Sequence, residues 1–315
     1  MIPPSTLSAF GPGKVILLGE HGVVYGYPAL AAPLSIGVTA TALLRAGSEE
    51  ASVEVPAELR GPGRRLLVEA FDAAVRVSGA GGLRMTLDSE LPPSMGLGSS
   101  AAVAVACAGA LLKSRGRSAP PTVEEIARVA WEMEKVFHGT PSGIDHTTSA
   151  RNQLIHFRRA ADGDPSKAQV TPVTVKRPFG LVVALVGERP STKETVAALR
   201  ARQARWPERY ARVFEQIGTL VEEGRGAIER GELELLGDVM DMNQGLLNAL
   251  GLSSAGIEEM VHRLRAAGAL GAKLTGAGGD GGAVIGLFEE ADRVVTRLRR
   301  AGIKCFASRI GEAAR

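Results

Sequence analysis

The stretch "LPPSMGLGSSAAVAVACAGALL", residues 91–112, constrains the fold more than any other part of the chain. The twelve residues from Ala101 to Leu112 carry no charge, and half of them are alanine. Alanine favours a helix, and a helix apolar on every side must be buried, so this segment belongs in a core. Upstream lie a strand-like start, two prolines and a Gly/Ser bend at Gly96, Gly98, Ser99 and Ser100. A helix mouth presents free N–H groups and a partial positive charge, which favour an anion. Glycines let a bulky phosphate approach the backbone, and serine hydroxyls can donate to it or ligate Mg²⁺. The same bend also suits a plain Ser-capped helix start, and the stretch alone leaves both readings open.

The chain has 315 residues, 45% of them hydrophobic, enough for a sizeable core and two domains. With 37 Lys+Arg against 34 Asp+Glu, the formal charge of +3 predicts no nucleic-acid partner. Short basic runs such as Arg297-Leu298-Arg299-Arg300 read as solvated helix faces. Cys107 and Cys305 cannot build a disulfide framework and have no zinc spacing, so both are expected as core thiols. The start of the chain lacks a signal peptide's pattern, and no apolar run reaches the roughly 20 residues that span a bilayer. The expectation is a cytoplasmic protein with no membrane partner.

Strands are expected at Val15–Leu18, Gly37–Leu44, Ser52–Val55 and Leu83–Leu87, with a helix over Arg65–Ser78. Thr122-Val123-Glu124-Glu125 is a capping-box pattern, followed by Ile126, Val129, Met133 and Phe137 on one helical face. Glu134 falls at the border of that face, about 80° from Ile126. The helix should stop near Gly139, with "GTPSGID" an irregular loop. After a charged, Gly/Pro-bearing stretch at 158–178 come a strand in "FGLVVALVG" and helical segments from Lys193 to about Leu250. A helix near Gly256–Ala267, strands at Ala272–Thr275 and Ala283–Phe288, a helix at Glu290–Ala301 and a strand at Ile303–Ser308 complete the pattern. Strands and helices alternating in both halves argue for an α+β fold cut near residue 178, into 1–178 and 179–315.

No Gly-Lys-Ser/Thr string is present, which excludes a Walker A loop. A dinucleotide fingerprint fits loosely as Gly96-x-Gly98-x-x-Ala101, but Arg115 to Pro121 holds no ribose-binding acid, and NAD is discounted. Three further stretches can carry chemistry. "KLTGAGGDGGAVIG" is a glycine loop between two strands. "FGPGKVILLGEHGVVYG" puts Lys14 at the head of a strand and Glu20-His21 beyond it. "EKVFHGTPSGIDHTTS" sets Glu134 and Asp145 eleven positions apart, as a metal ligand plus a general base or as two unrelated acids. Together the four supply the parts that phosphoryl transfer needs.

"PGKVILLGEH", "PPSMGLGSSAA", "HGTPSGID" and "KLTGAGGDGGA" resemble, in order, the motifs of the GHMP small-molecule kinases. "GEHGVVYGYPALA", "STKETVAALR" and "MNQGLLNALGLSS" resemble the branch of that family that phosphorylates mevalonate, and the similarity covers nearly the whole chain. The resemblance implies an N-terminal ribosomal-protein-like α/β domain and a C-terminal ferredoxin-like domain, with the active site in the cleft between them. It implies ATP as co-substrate, Mg²⁺ as cofactor, mevalonate as substrate and a place in isoprenoid biosynthesis, and it allows a homodimer. By position it implies Asp145 as catalytic base with Lys14 beside it, and Ser100 and Glu134 as Mg²⁺ ligands. ATP would meet Ser89 and the loop Ser94, Met95, Gly96, Leu97, Gly98, Ser99 and Ser100. Mevalonate would meet Glu20 and His21, with Gly278 of the third motif. Two features depart from the family pattern: Ser94-Met95-Gly96 replaces Gly-Ala-Gly, and Asp280 replaces a glycine. A charge facing ATP would repel it, so Asp280 is expected to point to solvent. Another kinase of the family, or a non-catalytic metabolite sensor, are the competing readings.

Overall fold

The computed structural model describes residues 6–45, 50–57, 59–116, 118–164, 167–187 and 192–312. They form two compact units, each assembled from three chain segments. The first takes Met1–Gly13, Ile36–Leu91 and Gly98–Asn152; the second takes Lys14–Ser35, Pro92–Leu97 and Gln153–Arg315. Strands β1 (Thr6–Leu18) and β2 (Ala29–Leu44) each begin in one unit and finish in the other. Both are longer than the sequence suggests. Gly11, Pro12 and Gly13 in β1, and Pro33 in β2, read as strand breakers, yet the strands run through them. The expected cut near residue 178 falls inside the second unit; the chain last changes unit at Asn152–Gln153.

In the first unit, β3 (Ala51–Val53) lies parallel to β4 (Leu83–Ser89), and β4 pairs antiparallel with the end of β2, from Val38↔Ser89 to Leu44↔Leu83. Helices α1 (Gly61–Ser78), α2 (Ser99–Ser114), α3 (Val123–His138) and α4 (Ile144–Arg151) pack on one another. The alanine-rich segment is α2, buried along Ala101–Ala102 and Ala104–Leu112. Strand β1 passes close to its backbone: a Cβ on Gly11 would stand 2.1 Å from the Ala102 carbonyl oxygen, so only glycine fits there. The capping box of α3 forms as expected, with Glu125 N donating to Thr122 Oγ1 (3.2 Å) and Thr122 N to Glu125 Oε2 (2.9 Å). Helix α4 replaces the second part of the expected loop. Its N-cap, Gly143, has a φ of 92°, so the sequence there looks like a turn although eight helical residues follow.

In the second unit, β5 (Ile155–Arg158) pairs with the start of β2 and with β6 (Gln169–Pro172), a hairpin whose second strand falls in the charged, Gly/Pro-bearing stretch 158–178. A four-stranded antiparallel sheet contains β7 (Phe179–Val186), β8 (Gly271–Thr275), β9 (Gly282–Phe288) and β10 (Cys305–Ile310), in the order β10-β7-β9-β8. Helices α5 (Thr192–Arg205), α6 (Pro207–Arg230), α7 (Leu233–Ala249) and α8 (Ala255–Ala266) join β7 to β8, and α9 (Ala291–Arg300) joins β9 to β10. Counted along the chain the strand order is 4-1-3-2 with helical crossovers, the ferredoxin-like arrangement expected. Phe214, Ile217, Leu247, Ile257, Leu274 and Val284 lie in its core. Cys107 and Cys305 are buried free thiols, and no described helix is long and apolar enough to cross a membrane.

Candidate active site

In the first unit, Gly98 is the N-cap of α2 with a φ of 73°, and no side chain caps that end. The Ser-cap reading of the bend therefore fails: Ser99 and Ser100 are the first helical residues, at a mouth with its backbone donors uncapped. Ser100 Oγ lies 2.9 Å from His138 Nε2, and that nitrogen lies 4.0 Å from Glu134 Oε1. The hydroxyl and carboxylate expected to hold a metal thus flank one imidazole, a residue the sequence reading did not single out. Glu134 is only 2% exposed, deeper than its border position on the apolar face suggested. Asp145 is half-buried in the first turn of α4, ground that favours an anion. His146 beside it is buried 5.2 Å from the Trp131 ring, and burial lowers its pKa to about 4 against the opposing charge of Asp145. Ser89 is exposed at the end of β4 and accepts a bond from Leu91 N (3.3 Å).

Among the described residues, no three His, Cys, Asp or Glu side chains form a metal-binding group. The donor set at hand is one carboxylate and one hydroxyl. It suits Mg²⁺, which takes few protein ligands and completes its shell with phosphate oxygens and water.

In the second unit, Lys14 is buried beside the Ser94–Leu97 loop: its backbone N donates to Leu97 O (2.9 Å) and its Nζ to Gly96 O (3.4 Å). Ser94 adopts a φ of 59° and Gly96 one of 75°, which turns the loop sharply. Met95 faces a groove of about 880 Å³ that Pro92, Val186, Met260 and Lys304 also line. Three links then join the end of β1 to β8 and the glycine loop after it. Ile16 exchanges two backbone bonds with Thr275 Oγ1 (2.9 and 3.0 Å). Glu20 Oε1 is ion-paired with Lys273 Nζ, both residues fully enclosed. His21 Nε2 lies 2.9 Å from Ala277 O.

A carbonyl only accepts, so His21 donates Nε2–H, and burial pushes its pKa down to about 4, which favours the neutral ring at neutral pH. Burial raises the pKa of Glu20 and lowers that of Lys273, each opposed by its partner. Gly278 meets a steric demand: a Cβ there would stand 2.2 Å from Leu252 O, while Gly279 N donates to the same oxygen (2.8 Å). Asp280 is exposed, as its charge required. Lys273 was missed, although a lone lysine between apolar neighbours in a buried strand signals a hidden partner.

The GHMP kinases N terminal domain matches residues 65–152 and the GHMP kinases C terminal region matches residues 225–304. The chain belongs to the GHMP kinase family. A mevalonate kinase of Aeropyrum pernix is 38% identical to it over 299 residues, spanning 90% of this chain and 89% of that protein. A mevalonate kinase of Pyrococcus horikoshii is 34% identical over 326 residues, spanning 93% and 92%. The crystal structure of L. major mevalonate kinase in complex with R-mevalonate superposes with a TM-score of 0.84 at 27% identity, covering 98% of each chain.

Proposed function

We propose that this chain transfers the γ-phosphoryl group of ATP to the 5-hydroxyl of (R)-mevalonate, giving 5-phosphomevalonate and ADP for isoprenoid biosynthesis. The observation that carries this reading is the 38% identity to a mevalonate kinase over nine-tenths of both chains. The residues present match the chemistry. The uncapped start of α2 at Gly98–Ser100 receives the triphosphate, with Ser89 and the loop Ser94–Leu97 completing the nucleotide contacts. Ser100 and Glu134 would hold Mg²⁺, which when bound neutralises charge on the phosphates.

An alcohol is a weak acid, and a carboxylate is a weak base with an unperturbed pKa of ~3.9. Phosphoryl transfer tolerates this, because its transition state is loose and the nucleophile bonds late. Asp145 orients the 5-hydroxyl and accepts its proton as the new O–P bond forms and the bond from Pγ to the ADP oxygen breaks. Lys14 stabilises the charge on the attacking oxygen and on Asp145. Glu20, neutral His21 and the loop carrying Gly278 face mevalonate. The division near residue 178 lies between the two family matches, and we retain it as the boundary between the half with the ATP and catalytic motifs and the half with the third glycine motif.

A coupled ADP-release assay across mevalonate, 5-phosphomevalonate, homoserine and galactose tests the reading. Turnover is expected with mevalonate and Mg²⁺-ATP alone. Faster turnover of 5-phosphomevalonate, or none of any alcohol, would overturn it.

A further inference from the structure

Lys273 sits in β8 between Ala272 and Leu274 and is fully buried. A lysine in such a place costs more than an apolar side chain of its size, because the ammonium must leave water. Packing alone would be better served by methionine or leucine. The charge is used on a single side chain 253 residues away: Nζ donates to Glu20 Oε1, and its second bond goes to Leu274 O (2.6 Å). Glu20 Oε2 is buried with no hydrogen-bond partner among the described residues, and Lys273 is the side chain ion-paired with that carboxylate. Glu20 lies directly before His21, and the Lys14 ammonium is close enough to stabilise its charge. Strand alternation puts Lys273 and Thr275 on one side of β8, so ion pair and hydroxyl together grip the end of β1 and the turn that follows.

We infer that Lys273 is a positioning residue, whose ammonium fixes the Glu20 carboxylate and through it the Gly19–His21 turn, so that His21 is presented to the substrate in one geometry. This rests on the reading of Glu20 and His21 as mevalonate-facing. The ion pair acts on the turn and touches no reacting atom.

The test uses the full chain and the Lys273→Met variant, with two readouts. The first is ¹⁵N NMR of the five histidines, with His21 assigned by its loss in His21→Gln. In the wild type the His21 midpoint is expected at about 4, with the neutral ring in the Nε2–H tautomer; in Lys273→Met it is expected to climb by about one pH unit or more toward the ordinary value of 6.5. The second is steady-state kinetics: kcat/KM for mevalonate should fall at least ~10-fold while the KM for ATP stays within about twofold. Should Lys273→Met fail to fold, Lys273→Met/Glu20→Gln removes both buried charges and gives the same NMR reading. An unmoved His21 signal overturns the inference whatever happens to the rate. A moved signal with unchanged kcat/KM for mevalonate overturns the substrate-positioning role. If the wild type itself releases no ADP with mevalonate, the functional reading fails, while the His21 signal still decides whether Lys273 sets the turn.

Discussion

Replacing Glu134 by Gln removes the one carboxylate assigned to Mg²⁺ while keeping the shape of a side chain only 2% exposed. The Mg²⁺ concentration for half-maximal rate should rise at least ~10-fold, with little change in the KM for mevalonate. An unchanged Mg²⁺ titration removes Glu134 from the site. Glu134 was legible in the sequence because helical periodicity alone puts it at the edge of the apolar face. Lys14, Ser100 and Asp145 were singled out because the short glycine-rich motifs that hold them resemble those of the GHMP kinases. The partners were not. Neither the bond from Ser100 to His138 nor the pair of Lys273 with Glu20 follows from spacing, since 38 and 253 residues separate their members.

At the scale of elements, α3 carries Glu134 and His138 near its C-terminal end and its capping box at the other end. Thr122→Ala should therefore cost about 1 kcal/mol of stability and leave kcat unchanged. Thermal unfolding should show a shift of about 2 °C; a large loss of activity would mean that the cap reaches the site. The capping box was readable because its signal is local. Helix α4 was not, because Gly143 at φ 92° imitates a turn and the eight residues after it bury too few apolar side chains to show a period. The β5–β6 hairpin was hidden for a related reason: its strands are four residues each, too short for alternation to stand out among charges and prolines. The long strands β1 and β2 were read only in part, since pairing, which the sequence does not display, overrides Pro12 and Pro33.

For the whole molecule, the buried neutral histidines make stability depend on pH. His21 in the second unit and His146 in the first titrate near about 4 when folded and near 6.5 when unfolded. As pH falls the unfolded chain takes up these protons first, so stability is full above about 6.5 and is lost as pH drops toward 4. By pH 5 the loss should be about 2 kcal/mol per histidine, read as a falling urea midpoint between pH 7.5 and 5. A flat midpoint over that range contradicts the burial of both rings. The proposed reaction needs a base for the alcohol's proton, and Asp145 is its pivot. The most direct measurement is the turnover number of Asp145→Ala with saturating mevalonate and Mg²⁺-ATP, alongside its affinity for ATP. A fall in kcat of at least ~10²-fold with ATP binding retained is predicted; near-wild-type turnover would contradict the account.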